Sequence, residues 1–264
     1  MERTRDLKKL FLILLFLFLM HMEGYCFDYS QDEHSKYSVR FLGFPVVRVN
    51  IQNGPIDSDS GAYRISIEAR TTKFWSMFYR VDNFYWTYLD TVGMPVVYKR
   101  KIEEKSIKKE TEQTFDHRFN RIYYEGNTAI DHPGELENFF SGLFRLRTLP
   151  LEVGFRDSFY INAEKAIWMV RSNVLDTVEL NHQGRDIECF KVDVEFQRVT
   201  PEAKPLPSDV LTLNIVSEDT DLKIYISSDE RRLPIKIDYN LSPFNVVASI
   251  DEFPDNFQES QNSN

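Results

Sequence analysis

AYRISIEART, residues 62–71, sets Tyr63, Ile65, Ile67 and Ala69 against Arg64, Ser66, Glu68 and Arg70. Such alternation describes a β-strand with one dry and one wet face, because successive side chains leave a strand on opposite sides. The same period recurs at Val47, Val49 and Ile51, and at Phe190, Val192, Val194 and Phe196. It returns at Leu222, Ile224 and Ile226, then at Leu233, Ile235, Ile237 and Tyr239. Further strands are expected over 37–42, 79–89, 118–125, 155–162, 166–182 (broken near Asn173) and 244–252. The charged stretch 96–115 (VVYKRKIEEKSIKKETEQTF) reads as a long solvent-facing hairpin, because Val96, Val97, Tyr98 and Phe115 frame it with β-formers. Turn residues punctuate these runs at 53–61 (NGPIDSDSG), 125–127, 181–184 (NHQG) and 228–231.

One segment departs from the pattern. Between Pro133 and Leu149, Leu136, Phe139, Phe140, Leu143 and Phe144 fall at helical spacing and make one apolar stripe. Pro133 suits the first helical position, Glu135 and Glu137 the positive end of the helix dipole, Arg145 and Arg147 the negative end. The fold class expected is therefore mainly β. A long antiparallel meander of a dozen or so strands curls into a half-open, barrel-like sheet, with one amphipathic helix packed on its concave side.

The 264 residues are 42% hydrophobic and 28% charged, which places the chain among globular proteins rather than disordered ones. A net charge of −9 argues against a nucleic-acid partner, which would need a basic face. At the start, Arg3, Arg5, Lys8 and Lys9 precede the apolar run Leu10–Met20, the layout of a secretory signal peptide. Gly24 and Cys26 supply small residues for cleavage near Phe27. The run is shorter than the ~20 residues of a membrane-spanning helix, so no span is expected after cleavage. Lipidation of Cys26 would want a small residue where Tyr25 stands. The organisation expected is a signal peptide over 1–26, a lead-in over 27–35, one β-rich domain over 36–253 and a polar tail over 254–264. Export, most simply to a periplasm, leaves Cys189 as the one cysteine and so no internal disulfide.

Several segments together resemble the bacterial family known as domain of unknown function 3108. They are YSVRFLGFPVVRVNI (37–51), the block 62–90 with its Thr-rich bend and aromatic strands, FDHRFNRIYY (115–124) and FFSGLFRLRTLPLEVG (139–154). The most specific is LKIYISSDERRLPIKIDY (222–239), a strand, an acidic turn, paired Arg, Leu-Pro and a second strand. The resemblance spans roughly 35–252 and implies an exported, mostly antiparallel β domain of unknown activity. It brings no catalytic residues with it. The insertion 199–209 and Cys189 depart from the pattern.

Motifs for chemistry are sparse. There is no G-x-S-x-G elbow, and His34, His117, His132 and His182 lie in polar, turn-like segments without metal-ligand spacing. Solvated loop histidines are the expectation. Asp57, Asp59 and Glu68 match calcium-loop spacing only in part, because the required glycine would fall at Ala62. A hairpin turn is expected there. Cys189 is read as a partly buried small residue or a thiol beside Lys191, and Arg231-Arg232 as a tip neutralised by Asp229 and Glu230 or as an anion site. Aromatic residues are the densest signal. Phe74, Trp75, Phe78, Trp86, Phe139, Phe140 and Phe144 are the expected wall of a ligand pocket, with ordinary sheet-to-helix packing as the alternative. No catalytic residue, metal or cofactor is expected. The expected function is a non-enzymatic envelope protein that binds a lipid or similar amphiphile. A structural adaptor of envelope assembly and an enzyme acting on cell-wall polymer are the alternatives.

Overall fold

The computed structural model describes residues 32–56, 62–105, 107–125, 128–200, 209, 215–241 and 244–254. The expected signal peptide, the loop 57–61, residues 201–208 of the insertion 199–209 and the tail beyond 254 lie outside the described residues. The first eight strands are β1 (Glu33–Phe41), β2 (Phe44–Pro55), β3 (Tyr63–Thr71), β4 (Asp82–Leu89), β5 (Pro95–Glu104), β6 (Ile107–Asp116), β7 (Arg121–Tyr124) and β8 (Thr128–Asp131). Seven follow: β9 (Leu136–Asn138), β10 (Arg156–Ala163), β11 (Ala166–His182), β12 (Arg185–Arg198), β13 (Asp221–Ser227), β14 (Pro234–Leu241) and β15 (Phe244–Glu252). The α-helix α1 (Phe139–Arg145) lies between β9 and β10.

These fifteen strands belong to one sheet, ordered β8-β7-β6-β5-β4-β3-β2-β1-β15-β14-β13-β12-β11-β10-β9. From β2 onward each strand pairs with its predecessor along the chain, β9 excepted. Among the described residues β8 and β9 are the two free edges, and β1 pairs antiparallel with β15 (Val39 opposite Ala248). The sheet is thus a curled meander, open at β8 and β9 and not closed into a barrel. The mainly β reading with an amphipathic helix packed on the sheet holds, with one local exception: β9 runs parallel to β10, so the sheet is mixed.

Alternation becomes burial strand by strand. On β4, Asn83, Tyr85, Thr87 and Leu89 are buried while Phe84, Trp86 and Tyr88 are only partly covered. On β3, Ile65, Ile67 and Ala69 enter the core. The hairpin β5–β6 exists, but its expected solvent-facing character is corrected. Tyr98, Arg100, Ile102 and Glu104 of β5 are buried, so the charged composition hid an inward face. The expected break near Asn173 is a bulge between Val174 and Asp176, which bends β11 without ending it.

The helix is also shorter than its stripe predicts. Leu136–Asn138 extends as β9 beside Tyr160–Asn162, so Pro133, Glu135 and Glu137 precede the helix. Asn138 sets the boundary: its side chain accepts from the Phe140 and Ser141 amides, and its own amide donates to Ser141 Oγ. That reciprocal cap satisfies amides that the first helical turn leaves unpaired. Gly142 is required for contact, since a Cβ there would stand 3.0 Å from Ile161 and 3.2 Å from Phe159. The helix therefore lies close against β10. No helix among the described residues is long and apolar enough to cross a membrane.

Candidate functional site

The helix does not fill the curl of the sheet. A hollow of about 150 Å³ remains beside it, walled by Phe139, Phe140, Leu143 and Phe144 of α1. The facing wall comes from both sides of the β1–β15 junction: Val39 of β1, Val49 and Ile51 of β2, Ile67 of β3, Leu222 and Ile224 of β13, Ile237 of β14 and Ala248 of β15. Phe140 leans on the other half of the sheet, its ring 4.6 Å from that of Tyr85 and 6.4 Å from that of Tyr98. Two wider depressions are open and polar, lined by residues such as Gln52, Asn53 and Arg64, or Arg156, Arg171 and Glu195. A concave apolar lining with few polar groups is what a ligand pocket needs, and the helix-side hollow has it.

Its polar end is built from a buried ion pair. Arg147 Nη1 and Nη2 donate to the two carboxylate oxygens of Glu33 at 3.0 and 2.6 Å, a bidentate pair. Arg147 Nε and Nη2 also donate to the carbonyls of Arg232 and Arg231 at 3.1 and 2.8 Å. In return Arg232 Nη1 donates to the carbonyls of Arg147 and Leu149. Arg232 is therefore buried and turned inward, which corrects its reading as a turn-tip charge met by acidic neighbours. Tyr37 completes this end. Burial, and next the charge of Glu33, push its hydroxyl above the ordinary phenol range.

A second polar network lies on the inner face of β4 and β5. Arg100 Nη1 donates to Glu164 at 3.0 Å and to Asp209 at 3.3 Å, and Nε donates to Thr111 Oγ1 at 2.9 Å. Asn83 donates to Tyr85 Oη and to Glu104, at 3.0 and 2.6 Å. Near the mouth of β9, Arg145 gathers Glu135, Glu137 and Asp157 at 3.3, 3.8 and 3.7 Å. Glu137 is buried, and desolvation pushes its carboxyl up to about 7 against the opposing pull of Ser141 and Arg145. Cys189 is fully buried beside Ile187, Leu233 and Ile235. Burial, then Asp229 and Glu188, push its thiol up to about 12, so it is a packing residue with almost no thiolate at neutral pH. Three of the histidines differ from their reading as solvated loop residues, while His34 is exposed on β1. His132 is buried, and His117 and His182 bond the carbonyls of Pro95 and Ile250. Among the described residues, no group of three or more His, Cys, Asp and Glu is placed to hold a metal ion.

The family described as "Protein of unknown function (DUF3108)" matches residues 36–248. The chain belongs to that family. No curated protein matches the sequence. Among solved structures, this DUF3108 chain is similar to a β-barrel-like protein of domain of unknown function DUF1849 from Brucella abortus. The TM-score is 0.56 at 8% identity, covering 85% of this chain and 98% of that one. At such identity the likeness is one of fold alone. A DUF1089 family protein from Pseudomonas aeruginosa aligns at TM-score 0.33 and 13% identity, over 75% of this chain and 87% of that one.

Within this DUF3108 chain the expected wall residues divide. Phe139, Phe140 and Phe144 line the hollow together. Trp86 lies on the other face of β4, stacked on Phe84 with ring centroids 5.9 Å apart. Phe74, Trp75 and Phe78 cluster with one another in the β3–β4 connection, away from the hollow, with Phe74 and Phe78 exposed. Glu33 and Arg147 had no motif to mark them. The one available signal was Arg147 set among Leu146, Leu149 and Leu151, where a solvated charge would be out of place.

Proposed function

We propose that this is an exported, non-enzymatic envelope protein that takes the apolar end of an amphiphile into the hollow between helix and sheet. The carrying observation is the lining: aromatic and aliphatic side chains on every wall, with the Glu33–Arg147 pair at one end. Volume limits the guest. About 150 Å³ suits a benzene-sized group, well under the ~300–1,000 Å³ that encloses a whole drug-sized ligand. A long acyl chain would enter by its tip, or fully only if α1 moved aside. The basic, then apolar start of the chain supports export, with residues 1–26 as the signal. Mass spectrometry of the N-terminus of the protein recovered from cells tests this, with a start near Phe27 expected.

The pocket is tested by filling it. Ala248 sits in the wall, and Ala248→Phe puts a ring into the hollow without removing any polar bond. The variant should bind the apolar dye N-phenylnaphthylamine roughly tenfold more weakly than the parent, and keep or raise its melting midpoint. Co-extracted lipid, read by mass spectrometry, should fall in parallel. Unchanged dye affinity in the variant would refute the hollow as the site.

A further inference from the structure

The two ends of the sheet are built from different chemistry. β1, β3 and β5 run the same way, so the turns that follow them share one end. At that end the β1–β2 tip is Leu42-Gly43, flanked by Phe44, and the β3–β4 connection is TKFWSMFYR (72–80). Leu42, Phe44, Phe74, Met77 and Phe78 are each 60–71% exposed. The two tips are joined: the Thr72 amide donates to the Val46 carbonyl at 2.9 Å, and Thr72 Oγ1 to the Pro45 carbonyl at 3.1 Å. At the opposite end the turns are polar and capped by their own aspartates. Asp90 accepts from the Val92 and Met94 amides, Asp116 from those of Arg118 and Phe119, and Asp229 from that of Arg232. The exposed apolar residues of that end, Ile56, Val92, Phe119 and Val153, lie in four separate connections.

Leu42 is out of place twice over. It is exposed, and its φ of 51° lies in the left-handed region, followed by Gly43 at 83°. A turn of that shape favours Asn, Asp or Gly at its first position, and a leucine there costs conformational energy with no burial in return. Charge adds a direction. Segments 41–47 and 72–80 contain no acid, and Lys73 and Arg80 lie among the aromatics, Arg80 also meeting Asp82 at the start of β4 at 3.2 Å. The Lys105 amide donates to the Arg80 carbonyl, which brings a third cation to the rim of a chain whose net charge is −9. Clustered aromatic and aliphatic tips ringed by Lys and Arg match the layered chemistry of an anionic bilayer surface, apolar below and negative above.

We propose that this end of the sheet docks on an anionic phospholipid surface, with Leu42, Phe44, Phe74, Met77 and Phe78 entering the headgroup layer. The hollow lies beneath it. Val39 of the pocket wall is three positions from Leu42, about 10 Å at the ~3.3 Å rise of a strand. Docking would therefore bring the pocket near the lipid, yet it does not require the pocket to be filled.

The test uses the full chain with Cys26→Ser and Met77→Cys, labelled with an environment-sensitive nitrobenzoxadiazole dye. Buried Cys189 stays unlabelled, and Val92→Cys carries the same dye at the opposite end. Vesicles are phosphatidylcholine alone or mixed with phosphatidylglycerol. The Met77 dye should brighten several-fold and shift to shorter wavelength, more so on the mixed vesicles, while the Val92 dye stays as in water. Adding Leu42→Asn and Phe78→Ser should weaken the response roughly tenfold without lowering the melting midpoint, because Asn suits that turn. Residues Leu10–Met20 are unchanged throughout, so binding through them leaves the contrast intact. A Met77 dye unmoved by vesicles, an equal response at Val92, or indifference to the double substitution overturns the proposal. Brightening with a protein extract but not with vesicles overturns it in favour of a protein partner. The Ala248→Phe variant should dock normally, so failure of the pocket and failure of the docking end are separable.

Discussion

Glu137 is a carboxyl held where water cannot reach it, and its proton is the consequence. Desolvation raises its pKa from the usual 4.5 to about 7. Unfolding returns the group to water, where it ionises near the lower value. Between about 4.5 and about 7 the folded state therefore holds more proton than the unfolded state, and stability falls as pH rises through that window. Above it the loss is complete; below it there is none. At ~1.4 kcal/mol per pH unit the effect reaches a few kcal/mol at most. Glu137→Gln should flatten the pH dependence of urea midpoints over this window. It should be more stable than the parent at pH 8, with the gain vanishing near pH 4.5. The sequence carries no mark of such a site. Glu137 and Glu135 look alike there, and the parallel pairing of β9 with β10 buries only Glu137.

The helix owes its position to Asn138 more than to its phenylalanines. At seven residues it is too short to persist alone in water, and tertiary contacts with its cap hold it. The Asn138 side chain caps two amides and also exchanges hydrogen bonds with Thr87 of β4. Asn138→Ala should cost about 2 kcal/mol in chemical denaturation, a lost cap plus a buried Thr87 hydroxyl left unmatched. The apolar spacing found this helix, yet overran its start because Leu136 is buried in a strand as well as a helix would bury it. The cap was readable: Asn138 followed by Ser141 is a capping pattern that the hydrophobic stripe obscured. Period-2 alternation, by contrast, located nearly every strand, since each has one wet face. It stumbled on β5, where Arg100 and Glu104 are buried in ion and hydrogen-bond networks that composition alone reads as solvent-facing.

At the scale of the sheet, the edges decide how the molecule opens. β8 is four residues long and largely exposed, while β9 is three buried residues beside α1. Short edges offer little to template pairing with another chain. Hydrogen exchange read by mass spectrometry should find Thr128–Asp131 exchanging fastest among the strands, and the β1–β15 pair among the slowest. Slow β8 or fast β1 would contradict this strand order. The site was only half visible in the sequence for a reason of topology. Phe139, Phe140 and Phe144 share one helix face, but the opposing wall is assembled from strands far apart in the chain. Phe74, Trp75 and Phe78 are as aromatic as the wall residues, and their place at a tip rather than in the core is set by the chain direction of β3 and β4.

The seam between β1 and β15 also governs birth of the fold. The strand laid down first is completed on one side by the one laid down last, with Tyr37 opposite Ile250 and Phe41 opposite Val246. β15 must therefore have left the ribosome before the central ladder can zip, and contacts so distant along the chain make assembly slow. Until then the facing edges of β1 and β14 await the strand they share.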